Sequence, residues 1–151
     1  MIRGMKLLMN ALSKLFYRIN HMKLQKLIED GDVEGLKEMA KDIAEYVDYE
    51  MTRDNEIHPT YWIAAHEDMS KGVRMLRAFK VACSSHSHYH WHEIMKVMGY
   101  SMMRGAVESE NIKILEQAMC HVDELDLYEI IADFDEDNPI VRWYDENFVS
   151  M

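Results

Sequence analysis

Residues that favour turns are scarce in this chain, which contains only two prolines and six glycines among its 151 residues. A sandwich or barrel of short strands needs a turn about every 8 to 12 residues, and such turns depend on glycine and proline. Apolar residues instead recur every three or four positions through most of the chain. The sequence therefore predicts an all-α fold, a compact single domain of about six to eight helices.

Periodicity and capping residues predict where these helices lie. The predicted helical segments are residues 5–28, 33–47, 59–69, 71–82, 90–104, 112–122, 125–134 and 139–148. Proline is favoured at the first helical position, which suits Pro59, and Asp32 is a suitable N-cap for the second segment. We expect residues 83–88 to break the fourth segment and Gly105 to end the fifth, because glycine commonly follows a helix.

Residues 1–27 carry six basic and no acidic side chains. Met5, Leu8 and Met22 belong to a series of apolar residues with the spacing of one helix face. We predict a basic amphipathic N-terminal helix that packs on a helical domain comprising residues 28–151. Two alternatives remain open, a membrane-surface or organelle-targeting helix and a non-native or alternative start upstream of Met22.

Charge alternates in four bands along the chain, whose total formal charge is -10. The formal charges are +6, -10, +5 and -11 for residues 1–27, 28–70, 71–105 and 106–151. A net acidic chain is repelled by a phosphate backbone, so we do not expect nucleic acid as a partner. The acidic C-terminal band either faces basic helices of its own fold with its surplus in solvent, or presents an acidic face to a basic partner. Such a face would include Asp133, Asp135, Glu136 and Asp137.

The two cysteines, Cys83 and Cys120, are far apart in sequence and form no CxxC motif. The sequence also contains no secretory signal with a small-residue cleavage site, so we expect reduced thiols in a cytoplasmic protein. No apolar run approaches the roughly 18 to 20 residues of a membrane-spanning helix, and no transmembrane segment is predicted.

Three of the predicted helices keep their apolar residues in register when they are offset by 40 and 39 residues. The coinciding sets are Val33, Val73 and Ile112; Leu36, Leu76 and Leu115; Met39, Phe79 and Ala118; and Ile43, Cys83 and Val122. Small or capping residues, Asp32, Gly72 and Asn111, precede the three helices. Either stacked helical hairpins or ordinary helix periodicity explains this register.

Residues 31–36 and 109–115 resemble the start of the second helix in ankyrin repeats. The resemblance covers about 25 residues, and both the Thr-Pro-Leu-His signature and the period of about 33 residues of that family are absent. Ankyrin repeats typically serve as protein-binding scaffolds, so the resemblance implies stacked helical hairpins with a protein-binding role.

The tract of residues 84–93 contains histidine at four alternate positions, followed by Glu93. These histidines are His86, His88, His90 and His92. If the tract is helical, His86 with His90 and His88 with His92 have the spacing at which two imidazoles on one helix face share a zinc ion. A third ligand must then come from elsewhere, since no HExxH motif is present. A polar helix start with a serine N-cap, or a contact with a partner, would also explain the tract.

Catalytic motifs are missing from the sequence, which has no glycine-rich phosphate loop, no GxSxG elbow and no activated Cys-His pairing. We therefore expect a non-enzymatic protein-protein interaction module without a cofactor, an adaptor or inhibitor of the kind that viruses and mobile elements use against host machinery. Two alternatives are a metal-dependent enzyme built on the tract from His86 to Glu93, and a peripheral membrane or structural assembly protein.

The residues that would bind a partner protein fall into two sets. Aromatic anchors carry much of the energy of protein interfaces, which selects Tyr89, Trp91 and Trp143. Arg74, Arg77 and Lys80 form a basic set that would complement an acidic partner. The same basic set would also complement the acidic band of a second copy, so a homo-oligomer is a further expectation.

Overall fold

The computed structural model describes residues 21–50 and 58–149, together with Gly4, Met5 and Leu8. Those residues form helices joined by short turns, and they include no strand. Helix α1 includes residues 21–30, and the later helices are α2 (Val33–Glu38), α3 (Ala40–Glu50), α4 (Pro59–Ala64), α5 (Met69–His86), α6 (Trp91–Glu108), α7 (Ile112–Met119), α8 (Glu124–Ile131) and α9 (Pro139–Tyr144). A π-helical turn, Asp145–Val149, follows α9. The predicted all-α fold is confirmed.

Consecutive helices form hairpins that stack on one another. α4 packs most extensively against α6, the first helix of the next hairpin, and α5 packs against α2 and α3 of the preceding one. α6 also contacts α7 and α8. α4 with α5 and α6 with α7 therefore pack as helix pairs, and a repeat behind the register of apolar residues stays a prediction.

The corner between α1 and α2 and the corner between α6 and α7 share one backbone motif. At each corner a residue with a left-handed conformation, Gly31 (φ 66) or Glu110 (φ 61), follows the first helix. The next residue, Asp32 or Asn111, is the N-cap of the second helix. At both corners, the backbone N–H groups of these two residues donate to backbone oxygens in the last turn of the first helix. At the first corner Gly31 donates to Ile28 (3.1 Å) and Asp32 to Leu27 (2.9 Å). At the second corner Glu110 donates to Val107 (3.2 Å) and Asn111 to Ala106 (2.8 Å). These two corners lie in the segments that resemble ankyrin repeats.

The third helix of the proposed register, α5, begins differently. Its N-cap is Asp68, whose side chain accepts a hydrogen bond from the backbone N–H of Lys71. Gly72 lies inside the first turn, where an added Cβ would approach the backbone oxygen of Ile63 to 3.0 Å. The equivalence of Gly72 with the caps Asp32 and Asn111 is therefore wrong, because Gly72 gives room for close packing instead of capping the helix.

The hydrophobic core lies between the stacked hairpins. Leu36, Leu76 and Leu115, one of the predicted apolar sets, are all buried in it, together with Phe79. Five methionines add to the same core, namely Met75, Met95, Met98, Met102 and Met103. Methionine is flexible and fills irregular gaps, which suits a core formed where several helix pairs meet.

Helix α6 continues to Glu108, so the prediction that Gly105 ends it is wrong. Gly105 is buried in the helix interior, where an added Cβ would lie 2.4 Å from the backbone oxygen of Tyr61 in α4. The glycine is required because α4 and α6 approach each other closely at this point. Thr60 reinforces the contact, since its hydroxyl donates to the backbone oxygen of Met98 at 3.0 Å.

Several other predicted boundaries differ from the structure, among them the helix predicted over residues 59–69, which ends at Ala64. α5 extends to His86 instead of breaking at residue 83, since Ser84 and Ser85 continue the helix. The predicted helix over residues 33–47 is two helices that meet at Met39, whose backbone N–H donates to both Gly35 and Lys37. The helix predicted over residues 125–134 ends at Ile131, where a turn leads toward α9.

Most of the predicted N-terminal helix lies outside the described residues. Met5, Leu8 and Met22, which periodicity assigned to the apolar face, are exposed, whereas Leu24 and Ile28 are buried in the core. The packing of residues 1–27 on the domain stays a prediction. Within the part of the chain that the structure describes, the helices are too short or too polar to cross a membrane.

Candidate functional site

Helix α5 presents a basic face to solvent. Its 18 residues include Lys71, Arg74, Arg77 and Lys80 and no acidic residue. Leu76, Phe79 and five other residues of this helix are buried, which leaves the basic residues between them on the outer side. The helical periodicity that buries one face therefore also gathers Arg74 and Arg77 on another.

A groove of about 640 Å³ separates α5 from α2 and α3. We call it the basic groove, and it is lined by Gly31, Asp32, Val33, Glu34, Lys37, Ala40, Lys71, Arg74, Arg77, Ala78, Val81, Ala82, Ser85 and His86. Val33 and Ala40 from one wall and Ala78, Val81 and Ala82 from the other give it an apolar surface. The basic groove thus combines apolar and cationic side chains.

The charges in the basic groove are unevenly compensated. Lys37 pairs with Glu34 at 3.1 Å, and both side chains are largely exposed. Within the described ranges, no carboxylate lies within ion-pair distance of Lys71, Arg74 or Arg77. Four basic residues and two acidic ones, Asp32 and Glu34, line the groove. The groove lining therefore carries a surplus of positive charge, and neither guanidinium group is paired with a carboxylate within the described residues.

The start of α5 is fixed by its cap. The Asp68 carboxylate accepts a hydrogen bond from the backbone N–H of Lys71 at 3.1 Å. This hydrogen bond is the main cause that lowers the pKa of Asp68. The cap stays ionised at neutral pH and holds in place the turn that carries Lys71.

Lys80, the third basic candidate from the sequence, is not among the residues that line the basic groove. Its Nζ lies 5.9 Å from the ring centroid of Trp91. Both residues line a smaller cavity of about 200 Å³ with Met102, Gln117, Cys120 and His121. The structure therefore brings Arg74 and Arg77 together and places Lys80 at a different site.

The three aromatic candidates are half-buried and do not form one surface patch. Trp91 packs edge-on against Phe79 with a centroid distance of 6.3 Å. Trp143 packs against Phe148 at 5.7 Å. Tyr89 lies in the loop before α6, where its backbone N–H donates to Ser87. Each contributes to packing in its own region.

The histidine tract is not a continuous helix. α5 ends at His86, His88 lies in the connecting loop, His90 is the N-cap of α6, and His92 lies in its first turn. The helical pairs that the zinc hypothesis required are therefore not formed. In the described residues, no group of three or more His, Cys, Asp or Glu side chains is arranged to hold a metal ion.

His92 instead pairs with His121, which follows α7. Their Nδ1 atoms are 2.8 Å apart, so one ring donates a hydrogen bond to the other. Partial burial lowers the pKa of His121, and the nearby His92 and Lys80 lower it further. The two residues are 29 positions apart, and no local motif in the sequence links them.

The two thiols have different surroundings. Cys83 is buried in α5, and burial raises the pKa of its thiol, with a smaller contribution from Asp48. Cys120 is exposed at the end of α7. A buried thiol with a raised pKa is a poor nucleophile, so the environment of Cys83 fits a core residue.

Sequence reasoning missed half of the basic groove. Val33, Lys37 and Ala40 form the wall opposite α5, and Lys71 completes the cationic rim. Val33, Lys37 and Ala40 come from helices 31 or more positions before α5 residues of the groove, and a single sequence carries no direct signal of such long-range proximity. The absence of acidic residues from α5 itself was the local signal in the sequence for this basic face.

Comparison with known proteins gives a family but no function. Residues 23–145 match a family of unknown function, DUF5903. No curated protein and no solved structure matches the chain. The matched segment includes every helix from α2 to α9 and therefore the whole basic groove. This chain belongs to the family of unknown function DUF5903.

Proposed function

We propose that this protein is a non-enzymatic binding module, an adaptor or inhibitor, whose basic groove binds an acidic amphipathic helix of a partner protein. One observation carries the proposal. Arg74 and Arg77 lie beside the exposed apolar side chain of Val81 in a groove between helices, and neither has an ion-pair partner among the residues that the structure describes.

The spacing of residues along α5 supports a helical ligand. Arg74, Arg77, Ala78 and Val81 occupy positions i, i+3, i+4 and i+7, which form one stripe along the groove. An amphipathic helix lying in a groove presents side chains with the same spacing. Its apolar residues would cover the exposed Val81, and its carboxylates would pair with the two arginines.

The mixed character of the groove favours a protein over a nucleic acid. A phosphate backbone would use Arg74 and Arg77 but would leave the exposed Val81 uncovered. The net charge of -10 also opposes the approach of a polyanion. An acidic helix is attracted locally by the cations and buries the apolar surface as well.

Binding of a labelled peptide tests the proposal directly. The probe is a stapled amphipathic helix with leucine on one face and glutamate beside it, and a lysine-for-glutamate version is the negative control. We expect fluorescence anisotropy to detect the acidic probe only, with weaker binding as salt rises, because exposed charges are screened within about 10 Å at 0.1 M salt and about 3 Å at 1 M.

A pair of charge-reversed variants identifies the site. R74E/R77E should weaken binding of the acidic probe at least about tenfold, since it places like charges against the ligand. The matched control K96E/K113E makes the same change in net charge at exposed positions on α6 and α7, outside the groove. Circular dichroism shows whether each variant is folded. Equal loss of binding in both variants, or no binding by the unmodified protein, would contradict the proposal.

A further inference from the structure

Helix α8 is acidic and exposes large apolar side chains to solvent. Leu125 is 70% exposed and Tyr128 is 60% exposed. They stand three residues apart and continue into the exposed residues Glu129 and Ala132, which gives an i, i+3, i+4, i+7 stripe. Leu127, Ile130 and Ile131 cover the opposite side of the helix. α8 therefore has one face in the core and one amphipathic face in solvent.

The exposed face of α8 matches the stripe on α5 in length and in pattern. Each stripe extends over eight residues, from Arg74 to Val81 or from Leu125 to Ala132, and its seven steps cover about 10.5 Å at the α-helical rise. The α5 stripe is basic in its N-terminal half and apolar in its C-terminal half. The α8 stripe has its large apolar residues in the N-terminal half and Glu129 in the C-terminal half.

In an antiparallel arrangement of the two helices, the apolar half of each stripe meets the apolar half of the other, and the charged halves also meet. Leu125 then covers the exposed Val81, Tyr128 lies over the position of the buried Ala78, and Glu129 lies against the arginine end of the groove. Val81 is itself 65% exposed, so the contact removes large apolar side chains of both helices from water. A parallel arrangement would place Leu125 and Tyr128 on the two arginines and move Glu129 away from them, onto Ala78.

We infer that the basic groove of one copy of this chain binds helix α8 of a second copy. The inference rests on the proposed function, because it names the acidic amphipathic helix that the groove takes. The two surfaces are separate, since α8 packs on α6 and contributes no residue to the groove. A contact between two different surfaces is head to tail, so it leads to an open chain of copies or to a closed ring.

Association should be weak and concentration-dependent. A contact between two stripes of about two helical turns each buries less surface area than a standard protein interface, which buries about 1,600 Å². Sedimentation velocity from low-micromolar to several-hundred-micromolar protein should therefore show a rising average mass. R74E/R77E, which disables the groove, and L125S/Y128S, which disables the exposed face of α8, should each remain monomeric. K96E/K113E should assemble like the unmodified protein.

Mixing the two disabled variants is the decisive measurement. R74E/R77E retains an intact α8, and L125S/Y128S retains an intact groove, so an equimolar mixture should form a one-to-one dimer that grows no further. All four substituted side chains are exposed, and circular dichroism checks that both variants keep their helices. A mixture that stays monomeric overturns the head-to-tail contact, even where the unmodified protein associates.

The peptide assay separates this inference from the proposed function. An unmodified protein that stays monomeric at the highest concentration but still binds the acidic probe overturns only the self-association. A protein that neither assembles nor binds the probe overturns both. Binding of the probe should also reduce the average mass of the assembled protein, because probe and α8 would occupy the same groove.

Discussion

The corner between α1 and α2 follows the same backbone path as the corner between α6 and α7, but the two have different surroundings. Both combine a left-handed residue with an Asp or Asn cap. Asp32 is exposed and lies at one end of the basic groove, where it accepts a hydrogen bond from Gly35. Asn111 is only 3% exposed and joins two hairpins, since its Nδ2 donates to the backbone oxygen of Met69.

The left-handed residues of the two corners also differ in how closely their surroundings pack against them. At Gly31 an added Cβ would lie 2.8 Å from Lys71 and 3.3 Å from His66, so glycine provides both the conformation and the space. Glu110 adopts the same conformation with a full side chain in solvent. One motif therefore provides a tightly packed edge of the groove at the first corner and an internal connection at the second.

The largest effect is expected at the buried cap. Replacing Asn111 by Ala removes the acceptor for the N–H of Ile114 and the donor to Met69. We expect a loss of about 2 kcal/mol in the free energy of unfolding, because a buried backbone group is left without its partner. Urea denaturation followed by circular dichroism measures it. A loss no greater than that of Asp32→Ala would show that the two corners are energetically alike.

Gly31→Ala should have the next largest effect. A left-handed conformation costs a residue with a Cβ roughly 1–2 kcal/mol, and the new methyl group also displaces the Lys71 side chain. Because Lys71 lines the basic groove, affinity for the acidic peptide should fall together with stability. Unchanged stability and affinity would mean that the first corner tolerates a side chain as the second does.

Asp32→Ala should destabilise the protein by about 1 kcal/mol, the usual value for loss of an exposed N-cap. The hydrogen bond from Gly35 is 2.9 Å long and lies at the surface, where water replaces part of it. Asp30→Ala removes the same charge two residues earlier, in α1, and is the matched control. Equal effects of the two substitutions would point to general electrostatics instead of capping.

Glu110→Gly should produce the smallest change, and it should be stabilising. Glycine adopts a positive φ without strain but loses more conformational entropy on folding, which leaves a gain of roughly 0.5 kcal/mol. The measurement is the thermal unfolding of Glu110→Gly compared with that of Glu110→Ala, because alanine retains the strain of the left-handed conformation. A loss of stability in Glu110→Gly would show that the Glu110 side chain makes a contribution of its own.

Local patterns in the sequence predicted the parts of this protein that depend on neighbouring residues. Periodicity placed Leu36, Leu76 and Leu115 in the core and left Arg74 and Arg77 on one exposed face. The caps Asp32 and Asn111 were identifiable because a side-chain oxygen before an apolar series favours a helix start.

Features that depend on distant residues were not predictable in this way. Gly105 has the local appearance of a helix end, and only the close approach of α4 explains why α6 continues through it. His92 and His121 meet because α7 folds back beside α6. The second wall of the basic groove depends in the same way on how one hairpin stacks on the next.

The attachment of α4 to α6 has a consequence for folding kinetics. The six-residue helix α4 is tied to its neighbour through the hydroxyl groups of Thr60, Tyr61 and Ser109, which bond to Met98, Glu108 and Ala64. These bonds join positions 38 to 47 residues apart, and a helix of this length is not stable by itself in water. We therefore expect α4 to form together with its contact on α6, so that closure of the chain between them belongs to the same folding step.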